Sequence, residues 1–223
     1  MKSIEIDPSS IDAILITHEH TDHVQGLGIF SKKYGKPVYA TEGTISNMES
    51  QTSKMNEDNI NVFKVGETFN IKDIKVNSFK IPHDASDPCG FNLISGNRKI
   101  SIATDIGHMN KEILTALEGS NFILLESNYE PKVLECSSYP YRLKSRIASK
   151  TGHLSNEMAG KTISHLLNTG LTSAMLGHLS KESNTPDLAY LSVVNELISN
   201  NFNENSLDLS VANRDMPSKF IRL

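Results

Sequence analysis

Apolar and polar positions alternate along this chain in short blocks, and the blocks change character from one half to the other. Residues 12–17 form an apolar run, Ala13-Ile14-Leu15-Ile16 at its centre, which predicts a buried β-strand. A short helix near 23–34 follows, closed by Gly35 and Pro37, then a strand at 38–40 and a polar-faced helix over 42–55. Segments 61–65, 68–72 and 74–81 read as strands separated by Gly66 and Asp73. Strands at 90–95 and 98–104 flank Ser95-Gly96-Asn97, a hairpin turn signal. From there helices and strands alternate: helix 110–118, strand 122–126, helix 155–168 with Ser155 as N-cap and Gly170 beyond its end, strand 172–177, a helix opened by Thr185-Pro186 and running to about 200, and a last strand at 206–212. Hairpins first and β/α alternation later predict an α/β chain of layered sheets with helices outside. The long connection between residues 126 and 155 reads as a functional loop.

Composition bounds the picture. At 223 residues, a single domain over 1–223 with a sizeable core is the expectation. Hydrophobic residues make up 38% and charged residues 22%, the proportions of a soluble globular protein. No apolar run approaches the roughly 18 residues that span a bilayer, so no membrane partner is expected. The first residues lead into no apolar signal-peptide core, and Cys89 and Cys136 do not make a disulfide framework. A cytoplasmic location follows, with both cysteines inert.

The chemistry concentrates after the first strand, in Thr17-His18-Glu19-His20-Thr21-Asp22-His23. His18 and His20 are two apart in extended chain and point the same way; Asp22 and His23 fall where the chain turns and face a second position. Imidazole and carboxylate together suit zinc, manganese or iron. Read alone, His83 is a solvated loop histidine, Asp105 a turn aspartate before Gly107, and His178 a strand-end histidine. His108 reads as an outer or surface residue and His165 as solvent-exposed. A second feature is residues 136–156, which contain no acidic residue but carry Arg142, Lys144, Arg146 and Lys150 beside Tyr139 and Tyr141. Basic residues interleaved with aromatics suit a phosphate backbone and stacked bases, although such a run is often only a solvated loop.

HxHxDH after a hydrophobic strand resembles the signature of the metallo-β-lactamase fold superfamily. Pro82-His83-Asp84, Ala103-Thr104-Asp105 and Leu176-Gly177-His178 resemble its later motifs. More narrowly, residues 17–28, 81–91, 103–109, 124–129, 139–147, 152–157 and 177–189 resemble the YycJ/WalJ branch of DNA-processing metallohydrolases. The resemblance implies an αββα sandwich. It implies two divalent ions (zinc or manganese, with iron possible): His18, His20 and His83 on one, Asp22, His23 and His178 on the other, and Asp105 with a hydroxide between them. A diiron redox centre is disfavoured, because such members carry glutamate where this chain has His20. It also implies that His153 is a non-ligand histidine donating a proton to the leaving group, so that Asp22, Asp105 and His153 carry catalysis. The expected activity is hydrolysis of phosphodiesters as a DNA exonuclease, with DNA preferred over RNA. The alternatives are a hydrolase of a small thioester, lactone or cyclic phosphodiester, and a non-catalytic metal-binding regulator. Members of the branch usually carry further strands before the HxHxDH strand, so the fold is expected to be N-terminally incomplete and the chain poorly soluble or weakly active on its own.

Overall fold

The computed structural model describes residues 4–203 and 206–222; Met1–Ser3, part of the segment ahead of the first strand, lie outside the described residues. The chain divides into two compact units, Met1–Lys80 with Ala85–Phe91, and Ile81–Asp84 with Asn92–Leu223.

The first unit is built on a parallel three-stranded sheet in the order β1 (Ile14–Leu15), β2 (Val38–Thr41), β3 (Ile60–Phe63). Helices α1 (Thr21–Val24) and α2 (Leu27–Tyr34) connect β1 to β2, and α3 (Glu42–Ser46) and α4 (Glu49–Thr52) connect β2 to β3. Ile16, Val24, Leu27, Val38, Ala40, Met48 and Met55 form the core of this layer. β4 (Thr68–Ile71) and β5 (Ile74–Lys80) make an antiparallel hairpin. Its Phe69 stacks on Tyr39, ring centroids 5.1 Å apart.

Three expectations are corrected here. The run 12–17, expected as one continuous strand, contributes only a two-residue strand, which among the described residues ends its sheet and pairs with β2. Short edge strands are the usual form, since a long one would expose unpaired backbone. The expected helix 23–34 is broken at Gly26, whose φ of 81° belongs to the left-handed region that glycine tolerates. The expected helix 42–55 is likewise two short helices, interrupted where Met48 turns into the core.

The second unit alternates strand and helix. β7 (Arg98–Ala103), β8 (Phe122–Glu126), β9 (Ser173–Gly177) and β10 (Asp208–Val211) run parallel, with Ala103 opposite Leu125 and Leu125 opposite Leu176. β6 (Cys89–Ser95) precedes β7 across a tight turn in which Gly96 has φ 57°. α5 (Lys111–Leu117) links β7 to β8, and α9 (Pro186–Ser199) links β9 to β10. Between β8 and β9 stand α6 (Pro131–Cys136), α7 (Tyr141–Ile147) and α8 (Asn156–Leu167). The long connection between residues 126 and 155 carries two short helices, α6 and α7, joined by turns. Ser155 accepts from the Met158 amide, the N-cap that the sequence indicated, and Thr185 does the same for Leu188 ahead of Pro186. Ile123, Leu125, Ile163, Leu166, Leu176 and Leu197 are fully buried. α8 and α9 approach closely at Gly160, where a Cβ would come within 2.6 Å of the Glu196 side chain.

Candidate metal centre

In the first unit the chain leaves β1 at Thr17 and delivers three imidazoles within six residues. His18 is fully buried. Its ring centroid lies 4.6 Å from that of His20, edge-on, and 4.1 Å from that of His23. His20 is the N-cap residue of α1, and Asp22 and His23 sit in that single turn, with His23 Nε2 3.7 Å from Asp22 Oδ2. The Thr17 hydroxyl lies 3.1 Å from His18 Nδ1 and 3.2 Å from His23 Nδ1, so it fixes both rings at their inner nitrogens. The segment after Ala85 clamps this turn: the Ser86 amide donates to Glu19 Oε1 at 2.8 Å and the Cys89 amide to the Thr17 carbonyl at 3.0 Å. Burial, with the charge of Asp87, pushes the Cys89 thiol up to about 12, so it packs as a protonated thiol.

The second unit gathers its site at the C-terminal ends of adjacent parallel strands, the position where open α/β sheets bind ligands. Asp105 follows β7, Glu126 ends β8 and His178 follows β9. Asp105 and His178 both hold left-handed backbone, at φ 61° and 57°. Aspartate and histidine tolerate that region better than most residues, yet it costs about 1–3 kcal/mol and persists only where the surroundings enforce it. Here they do. The amide after Asp105, that of Ile106, donates to Glu126 Oε2 at 2.8 Å, and Asn128 Nδ2 donates to the His178 carbonyl at 2.7 Å.

Glu126 is the hub. Its side chain is fully buried, and Oε1 accepts from His153 Nδ1 and from His178 Nδ1, each at 2.8 Å. Oε2 accepts from the amides of Ile106 and Leu154, the latter at 3.0 Å. Burial by itself would raise the Glu126 carboxyl; the hydrogen bonds and charges of His153 and His178 more than reverse that and hold it at about 2. With four donors on its two oxygens, Glu126 positions its neighbours. His153 and His178, each donating through Nδ1, turn Nε2 outward. His178 Nε2 lies 3.5 Å from Asp105 Oδ1. His83 donates from Nδ1 to the Gly152 carbonyl at 3.0 Å, and its Nε2 lies 3.6 Å from the same Asp105 oxygen. Burial lowers the pKa of His83, which favours the neutral imidazole, the form able to bind a metal. Asp105 is 2% exposed and faces His83, His153 and His178. The donor set of each unit, imidazoles with carboxylate, fits a divalent ion of the zinc or manganese type. Among the described residues, Asp105, Glu126, His153 and His178 place one ligand atom each within 4.8 Å of one another.

The basic segment sits on α7 and the turn after it. Arg146 makes a two-pronged bond to Asp84, Nε to Oδ2 at 2.5 Å and Nη2 to Oδ1 at 3.0 Å, and so buttresses the residue next to His83. Lys144 Nζ donates to the Glu135 carbonyl at 2.7 Å. Arg142, Lys150 and Tyr141 are exposed, and Tyr139 is half-buried. His108 donates to the Lys150 carbonyl, and His165 pairs with Glu118 on the surface.

The pattern of the beta-lactamase superfamily domain matches residues 2–178. The chain belongs to the beta-lactamase superfamily, in its WalJ/YycJ branch. It is 36% identical over 199 residues to the exodeoxyribonuclease WalJ of Streptococcus pneumoniae, covering 88% of this chain and 74% of that one. It is 35% identical over 192 residues to the exodeoxyribonuclease YycJ of Bacillus anthracis, covering 86% and 73%. The structure matches the metallo-β-lactamase fold protein YhfI of Bacillus subtilis with a TM-score of 0.67 at 14% identity, over 93% of this chain and 78% of that one. The expected superfamily, branch and fold are thus borne out.

In this beta-lactamase superfamily member, the residues that sequence reasoning missed are those that hold the motif histidines. Thr17 precedes HxHxDH by one position. Glu126 closes a strand of four apolar residues; a carboxylate directly after such a run, with no turn residue to explain it, is the signal that would have found it. Asn128 follows two residues later and carries no such mark.

Proposed function

We propose that this chain is a metal-dependent exodeoxyribonuclease. The observation that carries the reading is the Glu126 hub: one buried carboxylate orients His178 as a ligand and His153 as a proton donor from the same oxygen. The names of the WalJ and YycJ relatives, matched over about three-quarters of their length, support DNA as substrate. In this reading His18, His20 and His83 hold one ion, Asp22, His23 and His178 hold a second, and Asp105 serves both. Two zinc or manganese ions are the preferred content. Such ions, when bound, lower the pKa of a water towards about 7 and so provide a nucleophile at neutral pH.

The chain's own residues do the rest. Asp22 and Asp105 fix the ligand geometry. His153, tied at Nδ1 to Glu126, presents its Nε2 proton to the departing oxygen, the role of a general acid. Arg142, Lys144, Arg146 and Lys150, with Tyr139 and Tyr141, line the approach of the phosphate backbone; Arg146 does so while holding Asp84. Among the described residues no helix is long and apolar enough to cross a membrane. A cytoplasmic location rests on the composition and on the two free cysteines. The test is an assay of metal-analysed protein against labelled single- and double-stranded DNA, RNA and a generic phosphodiester. Release of nucleotides from DNA ends, abolished by chelator, is expected. Turnover of the small phosphodiester with none of DNA would move the reading to a small-molecule hydrolase.

A further inference from the structure

A cleft of about 550 Å3 opens in the second unit between α6 and α7, and its lining includes Tyr129, Leu134, Glu135, Tyr141, Lys144 and Ala148. Its volume is that of a site for one small ligand. The helical period puts Tyr141, Lys144, Ser145 and Ala148 on one face of α7 and Arg142 and Arg146 on the other. The basic segment thus has two faces with different work. One buttresses Asp84; the other forms this cleft. Tyr141 is 85% exposed, an aromatic ring left standing at the rim. Lys144 spends one ammonium hydrogen on the Glu135 carbonyl and carries two more.

The opposite wall is tied to the segment that carries His153. Tyr129 lies three residues after Glu126, and its carbonyl accepts from the Asn156 amide while Tyr129 bridges to Ser155, two residues after His153. Burial and the charge of Glu126 both raise the pKa of its phenol, so the ring lies within electrostatic reach of the hub. An apolar slot with tyrosines on two sides and the Lys144 ammonium in its wall is chemically matched to a flat aromatic group next to a phosphate.

We propose that this cleft is a base-binding subsite, which takes one unstacked nucleobase of a single DNA strand, with Tyr141 on the base face and Lys144 on the adjoining phosphate. A base still paired in duplex keeps its faces covered by neighbours and does not fit, so the subsite selects a frayed or single-stranded end. The inference rests on the nuclease reading for the identity of the strand.

The test uses the metal-loaded full chain and single-stranded phosphorothioate DNA, which resists cutting, with 2-aminopurine placed at each position from the end in turn. One position near the end should change fluorescence on binding. Tyr141→Ala should abolish that signal and weaken binding roughly tenfold, while Tyr141→Phe retains both. An abasic nucleotide at that position should cost the parent protein a similar factor and cost Tyr141→Ala nothing further. Because Tyr141 is exposed, the substitution leaves the fold intact, which a thermal melt verifies. Unchanged binding by Tyr141→Ala, or an abasic penalty that is equal at every position, would overturn the subsite. Failure of the nuclease reading shows separately, as loaded protein that cuts no ordinary DNA.

Discussion

The two units arrive at the same donor chemistry by opposite routes. The first presents His18, His20, Asp22 and His23 from one strand end and one helical turn, so six consecutive positions contain the whole cluster. The second assembles His83, Asp105, His153 and His178 from separate segments of the chain, and needs a buried carboxylate to make them agree. A local cluster is held by its own backbone, the Thr17 hydroxyl and the amides of Ser86 and Cys89. A dispersed cluster is held by a hub, and the hub is where its energy and its vulnerability lie. Leaving the Glu126 donors unanswered in a buried site would cost about 3–5 kcal/mol. Its substitution therefore bears on more than one proposed role at once, whereas a substitution in the HxHxDH turn bears only on proposed ligands.

The sharpest break in that comparison is removal of a ligand. Asp105→Ala should reduce bound metal by at least one ion per chain in elemental analysis and lower DNA hydrolysis by more than the ~10–100-fold typical of residues behind the ligands. His18→Ala should do the same from the first unit. Full activity in either variant would remove that residue from the centre. Next comes His153→Ala, which should keep the metal and slow turnover by roughly a hundredfold or more. The loss should shrink with a good leaving group, which needs no proton; equal losses for good and poor leaving groups would assign His153 a structural role.

Glu126→Gln, about 10–100-fold in effect, distinguishes hub from local turn. Because Oε1 serves His153 and His178 together, this one change should weaken metal binding and also alter the dependence on leaving group. Ligand variants of the first unit should show the first defect and not the second. If Glu126→Gln changes neither, the hub is only a packing device.

What could be read in advance follows the same division. HxHxDH was legible because its residues are adjacent and follow an apolar run, and the strand ends bearing Asp105 and His178 were legible because the runs before them are short and clean. Boundaries failed where a single residue decides: Gly26 splits one expected helix and Met48 another. Glu126 stood inside the recognised Leu124-Leu125-Glu126-Ser127-Asn128-Tyr129 stretch, but no local pattern reveals that four donors from three loops converge on it. The same holds for Arg146, which counts as one charge among four in the sequence and in the folded chain is bound to Asp84.

That distinction sets the smallest predicted effects. Arg142→Ala with Lys150→Ala should raise KM for DNA a few-fold, with little change in kcat. The salt slope should fall by about 0.9 for each phosphate that is no longer neutralised. Arg146→Ala should lower kcat as well, since it releases Asp84 beside His83. Identical profiles for the two variants would show that the Asp84 bond has no bearing on the centre.

The most direct test of the whole account is a time course on end-labelled DNA with protein loaded stepwise with zinc or manganese. The account predicts mononucleotide release from the earliest time points, at a rate that climbs until two ions are bound per chain and is lost on chelation. Internal cuts before terminal release, or full hydrolysis by metal-free protein, would contradict it.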